Sequence, residues 1–215
     1  MTGRSISIRS TIFPERGLRI SAGFWLLLAA ALIIAPPPLT AAVLLAAALH
    51  EGGHLAALRA FRVPVEGLRL DAFGAVIHAR GARRLSYGQE LIVTLAGSAA
   101  NLLLAPPLAA LSARFSWEWG FLLAGANVLL GVYNLLPVPS LDGGRALYLI
   151  VAYCFGPAAG ETAEAAVGLF CAAVLTALGA YLTAAYGGAL FLLAALGLLF
   201  GALRQFALAK IPVSV

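Results

Sequence analysis

Apolar residues along the chain gather into long, nearly unbroken blocks, unlike the short alternating runs of a soluble domain. Such blocks cover about 20–36, 40–60, 90–113, 119–136, 163–185 and 188–206. Each approaches the ~20 residues an α-helix needs to cross the hydrocarbon core of a bilayer. Pro36-Pro37-Pro38 ends the first block and Pro106-Pro107 interrupts the third. The fourth breaks into PVPSLDGG, a short helix is predicted near 144–155, and Tyr186-Gly187-Gly188 divides the last two. Between the second and third blocks the texture changes. RVPVEGLRLDAFGAVIHARGARR (62–84) roughly alternates and has no helical stripe, which predicts a β-hairpin or re-entrant loop over 63–80. The fold class expected is an all-α polytopic membrane protein of about six transmembrane helices, with this short hairpin between the second and third. One intramembrane domain is expected over 20–206, flanked by a cytoplasmic segment 1–19 and a cytoplasmic tail 207–215. Neither an internal repeat nor a signal-peptide cleavage site stands out.

Composition strengthens the membrane assignment. The 215 residues are 62% hydrophobic and 11% charged, with mean hydropathy +0.96. A soluble domain is nearer half apolar and a quarter charged, and one of this size still needs polar cover. The net charge of +5 therefore raises a question of topology, and nucleic acid is not an expected partner. Six spans place both termini on one side. Thirteen of the 14 Lys and Arg then fall on that side, in the termini and the loops after the second and fourth spans, and Arg114 alone falls opposite. By the positive-inside rule, the termini and the hairpin loop are cytoplasmic. Cys154 and Cys171 lie in apolar runs and read as small hydrophobes, not a disulfide.

The second block carries an anomaly. LLAAALHEGGHLAALRAF (44–61) places His50, Glu51 and His54 within five residues of an apolar helix, where ionisable groups are costly unless satisfied. Residues i and i+4 share a helix face, so the two imidazoles project together. Glu51 sits beside the first and can reach a metal-bound water. This H-E-x-x-H spacing supplies two zinc ligands and a general base. A catalytic zinc usually takes a third protein ligand, and His78, Asp71 and Asp142 are the candidates. Asp142 lies where Pro137, Pro139, Gly143 and Gly144 break the fourth span. Irregular backbone at membrane depth is tolerated where protein or water satisfies it, and a carboxylate there suggests function. The plainer role for Asp142 is to cap the helix starting near Gly144. Asn134 can offer amide hydrogen bonds to a substrate backbone or to a neighbouring helix. Asn101 reads as a bridge between closely packed helices. A small ion transporter with a midplane His-Glu-His site is the competing use of such groups.

His50-Glu51-Gly52-Gly53-His54, with Asn134-Leu135-Leu136-Pro137-Val138-Pro139-Ser140-Leu141-Asp142-Gly143-Gly144 downstream, resembles the site-2 protease family of intramembrane zinc metalloproteases. The bacterial stage IV sporulation protease type, with six spans, is the narrower likeness, over roughly 20–206. The resemblance implies one zinc held by His50, His54 and Asp142, with Glu51 activating water. It implies a cell-membrane enzyme that hydrolyses a peptide bond in or near a transmembrane segment of a membrane-anchored regulatory protein, such as a pro-sigma or anti-sigma factor. A catalytically inactive homologue that binds membrane partners is the other outcome it allows. The arginine-rich hairpin loop directly after the histidine helix predicts a site that opens toward the cytoplasm. Ala96-Gly97-Ser98-Ala99-Ala100-Asn101 carries serine where the family has proline. Phe73-Gly74-Ala75 ends in alanine where it has glycine, and Gly52 replaces a usually bulky residue. The chain holds neither a PDZ insertion nor a cystathionine-synthase-type sensing domain, so substrate sorting or regulation through them is not expected.

Overall fold

A computed structural model of the chain describes residues 17–71, 74–79, 85–187 and 195–203. Strand β1 (Gly17–Ile20) leads into helix α1 (Ala22–Ile34) and then α2 (Pro37–Ala60). Strands β2 (Val65–Asp71) and β3 (Gly74–Ala79) follow, and then helices α3 (Tyr87–Phe115), α4 (Glu118–Asn134), α5 (Asp142–Phe155) and α6 (Pro157–Tyr186). Residues 195–203 are again helical (α7). Local chemistry sets several of these boundaries. The proline triplet that closes α1 also opens α2, where Pro37 and Pro38 supply the fixed φ and missing N–H of a first turn. Ser86 and Gln89 form a reciprocal capping box at the start of α3. Gly156, at φ 91°, separates α5 from α6 in a backbone state that glycine adopts without strain.

Among the described residues, three helices, α2, α3 and α6, are long and apolar enough to cross a membrane. At the first and fourth predicted spans, α1 and α4 have 13 and 17 residues. They rise about 20 and 26 Å, against a hydrocarbon core of ~30 Å. One expectation is corrected. Pro106 and Pro107 do not interrupt the third block, because α3 runs unbroken through both. Prolines are tolerated in membrane helices where neighbouring groups satisfy the freed carbonyls. The described part of the sixth block is α7. Residues 1–16 of the expected N-terminal segment, Arg83, Arg84 and the tail 207–215 lie outside the described residues.

The predicted hairpin is present as antiparallel β2 and β3, with Leu68 opposite Ile77 and Gly67 opposite His78. A third strand was not expected. β1 adds in parallel to the other edge of β2, with Arg19 beside Arg69, giving the order β1-β2-β3.

Helix α3 lies between α2, α4 and α5, and α5 packs in turn on α6. Small residues permit the close approach that membrane helices favour. Ala42 and Ala46 of α2 meet Leu123 and Ala126 of α4. A Cβ on Gly53 would press on the α3 backbone at Ala96 and come within 2.9 Å of Ala100 Cβ, whereas Gly52 faces open space. The glycine substituted for a bulky family residue at position 52 therefore costs the bundle no contact. The turn between α4 and α5 is part of the core. Val138 is wholly buried with Ala172 of α6 and Ala202 of α7, and a side chain on Gly144 would run into Val138 O.

Candidate metal centre

Three side chains from two helices converge at the middle of the bundle. His50 and His54 project from one face of α2, with their rings edge to face and 4.8 Å between centroids. Asp142 is the first residue of α5. It does not cap that helix, because Leu141 holds the cap position and no side chain bonds there. Its carboxylate turns instead toward the histidines. Oδ2 lies 3.1 Å from His50 Nε2 and 3.4 Å from His54 Nε2, and the two Nε2 atoms are 3.2 Å apart. The side chains of His50 and His54 are 6% and 12% exposed, and that of Asp142 20%.

These distances fit a metal ion. Ligand atoms about 2.0–2.1 Å from a tetrahedral zinc stand about 3.3 Å from one another, close to all three edges of this triangle. The chemistry of the donors agrees. His54 Nδ1 donates to the Val93 carbonyl at 2.8 Å, so its neutral ring presents a lone pair at Nε2. Buried Asp142 Oδ2 accepts no hydrogen bond although two imidazole nitrogens are beside it. Lone pairs facing one another in a buried place are satisfied by a cation.

The surrounding helices hold this arrangement. Gly97 of α3 lies against both rings, and a Cβ there would stand 2.7 Å from His54 Cε1 and 2.8 Å from His50 Cε1. Behind His50, Nδ1 lies 3.2 Å from Asn101 Oδ1, and Asn101 Nδ2 donates to Ala46 O and Asn127 Oδ1. Asn101 thus bridges helices as its sequence context suggests, and it also touches a predicted ligand. Asn127 escaped the sequence reading. Its only signal there is one amide within the apolar run GANVLLGVY (125–133). Ser140 precedes Asp142 by two residues with φ 82°, an uncommon state for a residue other than glycine.

The other sequence candidates sit elsewhere. Glu51 is half-buried on α2 beside the cluster. Asn134 ends α4, and its Nδ2 donates to Leu130 O at 3.0 Å. Asp71 and His78 are on the sheet, apart from the three converging groups. The Ser21 hydroxyl, and then Arg69, hold the Asp71 carboxyl below the ordinary carboxylate value. His78 lines a shallow hollow with Gly17, Arg19, Leu68 and Arg69. Glu90 pairs with Arg145, whose Nε donates to Oε1 at 3.1 Å, tying the start of α3 to α5. Cys154 and Cys171 are free thiols.

Residues 115–178, which include Asn134 and Asp142 but not the histidine helix, match the profile of peptidase family M50. Two curated proteins are each named "Putative zinc metalloprotease". The chain is 33% identical to RSc1411 of Ralstonia nicotianae over 118 residues, covering 53% of this chain and 23% of that protein. It is 35% identical to Rip3 of Mycobacterium tuberculosis over 106 residues, covering 45% and 26%. The chain thus spans about a quarter of the length of the curated relatives it matches. A solved structure described as the site-2 protease from Methanocaldococcus jannaschii shares the fold, with TM-score 0.66 and 22% identity, over 88% of this chain and 90% of that one.

Proposed function

We infer that this chain, a relative of the M50 peptidases with a site-2 protease fold, is an intramembrane zinc endopeptidase. It would cut a peptide bond in or near a transmembrane segment of a membrane-anchored regulatory protein, and a pro-sigma or anti-sigma factor is the substrate class we favour. The observation that carries this function is the buried triangle of two imidazole nitrogens and one carboxylate oxygen, with edges of 3.1 to 3.4 Å, beside Glu51.

His50, His54 and Asp142 would hold one zinc ion and leave a coordination position open. Bound zinc supplies Lewis acidity and lowers the pKa of a water to about 7. Glu51 is one residue from His50, about 100° round the helix, so it stands off the ligand line while its long side chain reaches toward the same centre. Its carboxylate would take the proton of the attacking water and pass it to the leaving nitrogen. Asn134 has a second amide hydrogen and a carbonyl oxygen for the backbone of an unwound substrate. An extended peptide could also pair with the outer edge of β3.

A single catalytic domain over 20–206 with six spans remains the arrangement we favour. The 17 residues of α4 reach the lower limit for a span, and the basic residues partition cleanly on a six-span count. That partition also supports cytoplasmic termini and a site opening to the cytoplasm. The test is co-expression with candidate single-span substrates. Wild type is expected to release a cleaved fragment and carry zinc. Glu51→Gln is expected to carry zinc without cleaving. Loss of metal from Glu51→Gln would make Glu51 a ligand, and cleavage at the wild-type rate would exclude it as the base.

A further inference from the structure

Asn101 and Asn127, neither of them assigned chemistry above, are wholly buried between α2, α3 and α4. Their hydrogen bonds run in one direction. Asn127 Nδ2 donates to Leu123 O at 2.8 Å. A backbone carbonyl has no proton to offer, so it fixes the nitrogen end of this amide and turns Oδ1 toward Asn101. That oxygen accepts from Asn101 Nδ2 at 3.1 Å, and the same nitrogen donates to Ala46 O at 3.0 Å. Both N–H bonds of Asn101 are then used, and its Oδ1 is the atom left facing His50 Nδ1 at 3.2 Å. An amide oxygen only accepts, so this contact is a hydrogen bond only when Nδ1 carries the proton. The neutral ring then keeps its lone pair on Nε2, the atom 3.1 Å from Asp142 Oδ2. Reversing Asn101 would set its oxygen against Ala46 O and Asn127 Oδ1, at a fully buried place where unpaired polar atoms are costly.

We propose that Asn101 and Asn127 form a relay that transmits the polarity of two backbone carbonyls, Leu123 O and Ala46 O, to the imidazole of His50 and so fixes its tautomer. Asn101 is a positioning residue: it acts through His50 and touches no reacting atom. Its role in metal binding rests on the zinc site inferred above, whereas the tautomer is a property of the metal-free chain. His54 reaches the same state by a shorter route, through the carbonyl of Val93. That partner is backbone and no side-chain substitution removes it. The partner of His50 is a side chain and can be replaced.

The experiment is nitrogen NMR of the full-length chain in detergent, with labelled histidine, stripped of zinc and held above the range where imidazoles titrate. The chain has three histidines, and His78→Gln removes the one on the sheet and simplifies assignment. The wild-type His50 signal should show a protonated Nδ1 and a bare Nε2. In Asn101→Leu both tautomers should appear. Zinc affinity, read by competition with a chromophoric chelator, should fall about 10–100-fold, the range for loss of an outer partner of a metal ligand. A wild-type His50 protonated at Nε2 would overturn the relay, as would a single wild-type tautomer in Asn101→Leu. If the leucine variant does not fold, the wild-type spectrum still decides. A wild type that binds no zinc overturns the function inferred above, while its His50 spectrum still judges the relay.

Discussion

The bundle centre and the three-stranded sheet contain the same kinds of ionisable groups in opposite settings. The centre has His50, His54 and Asp142, and the sheet has His78 and Asp71. At the centre, the groups come from helices far apart in sequence, are largely buried, and converge with bare acceptor atoms. On the sheet, Asp71 is answered by a cation two residues away, with Arg69 Nε 2.8 Å from Oδ2 and the two side chains 54% and 30% exposed. Residue type alone therefore does not make a metal site. Acceptors must converge in a place where water and local cations do not satisfy them first.

The contrast can be broken most directly by removing ligands. Asp142→Ala and His54→Ala should each lower zinc affinity by more than about 100-fold, beyond what loss of an outer partner costs. Asp71→Ala and His78→Ala should leave it unchanged, as chelator competition would show. Next in size, Gly97→Ala places a methyl group against both imidazoles and should cost about 1–3 kcal/mol of stability by overpacking, with weaker zinc binding. Gly52→Ala, which meets open space on the same helix as the histidines, should lower neither, and it shares the gain in helix propensity that Gly→Ala brings, so thermal unfolding and metal titration of the pair isolate the ring contact. A double-mutant cycle on Glu90 and Arg145 should give about 0–1 kcal/mol, because the pair is largely exposed. The smallest effect concerns Asp71. Its carboxyl is held below its ordinary value by Ser21 and Arg69, so its contribution is complete above that value and fades as pH falls through the lower folded-state value. Protection of the β2 amides from hydrogen exchange, taken relative to the intrinsic rate at each pH, should fall in that acidic window for wild type and be flat for Asp71→Asn.

Much of the centre was legible because it is local. His50, Glu51 and His54 announce themselves by helical spacing, and Asp142 by the prolines and glycines that break the chain around it. The hairpin was legible for the same reason, since alternation and its two breakpoints lie within some twenty residues of sequence. Pro106-Pro107 misled because a breaker is a local signal, whereas the continuity of α3 depends on the neighbours packed around it.

β1 illustrates the opposite limit. Four residues, GLRI, have no period to detect, and their partner β2 begins some forty-five residues later. The tie between Asn101 and Asn127 is equally silent, since one amide in an apolar helix says nothing of which acceptor it will meet. Residue spacing determined which groups share a helix face and where the backbone must break, because both follow from φ, ψ and a 3.6-residue turn. The packing of α2, α3, α4 and α5 decided that Asp142, and neither His78 nor Asp71, would complete the triangle. Long-range contacts of that kind form only when whole helices bury their faces together, and no window of sequence contains the energy of that burial.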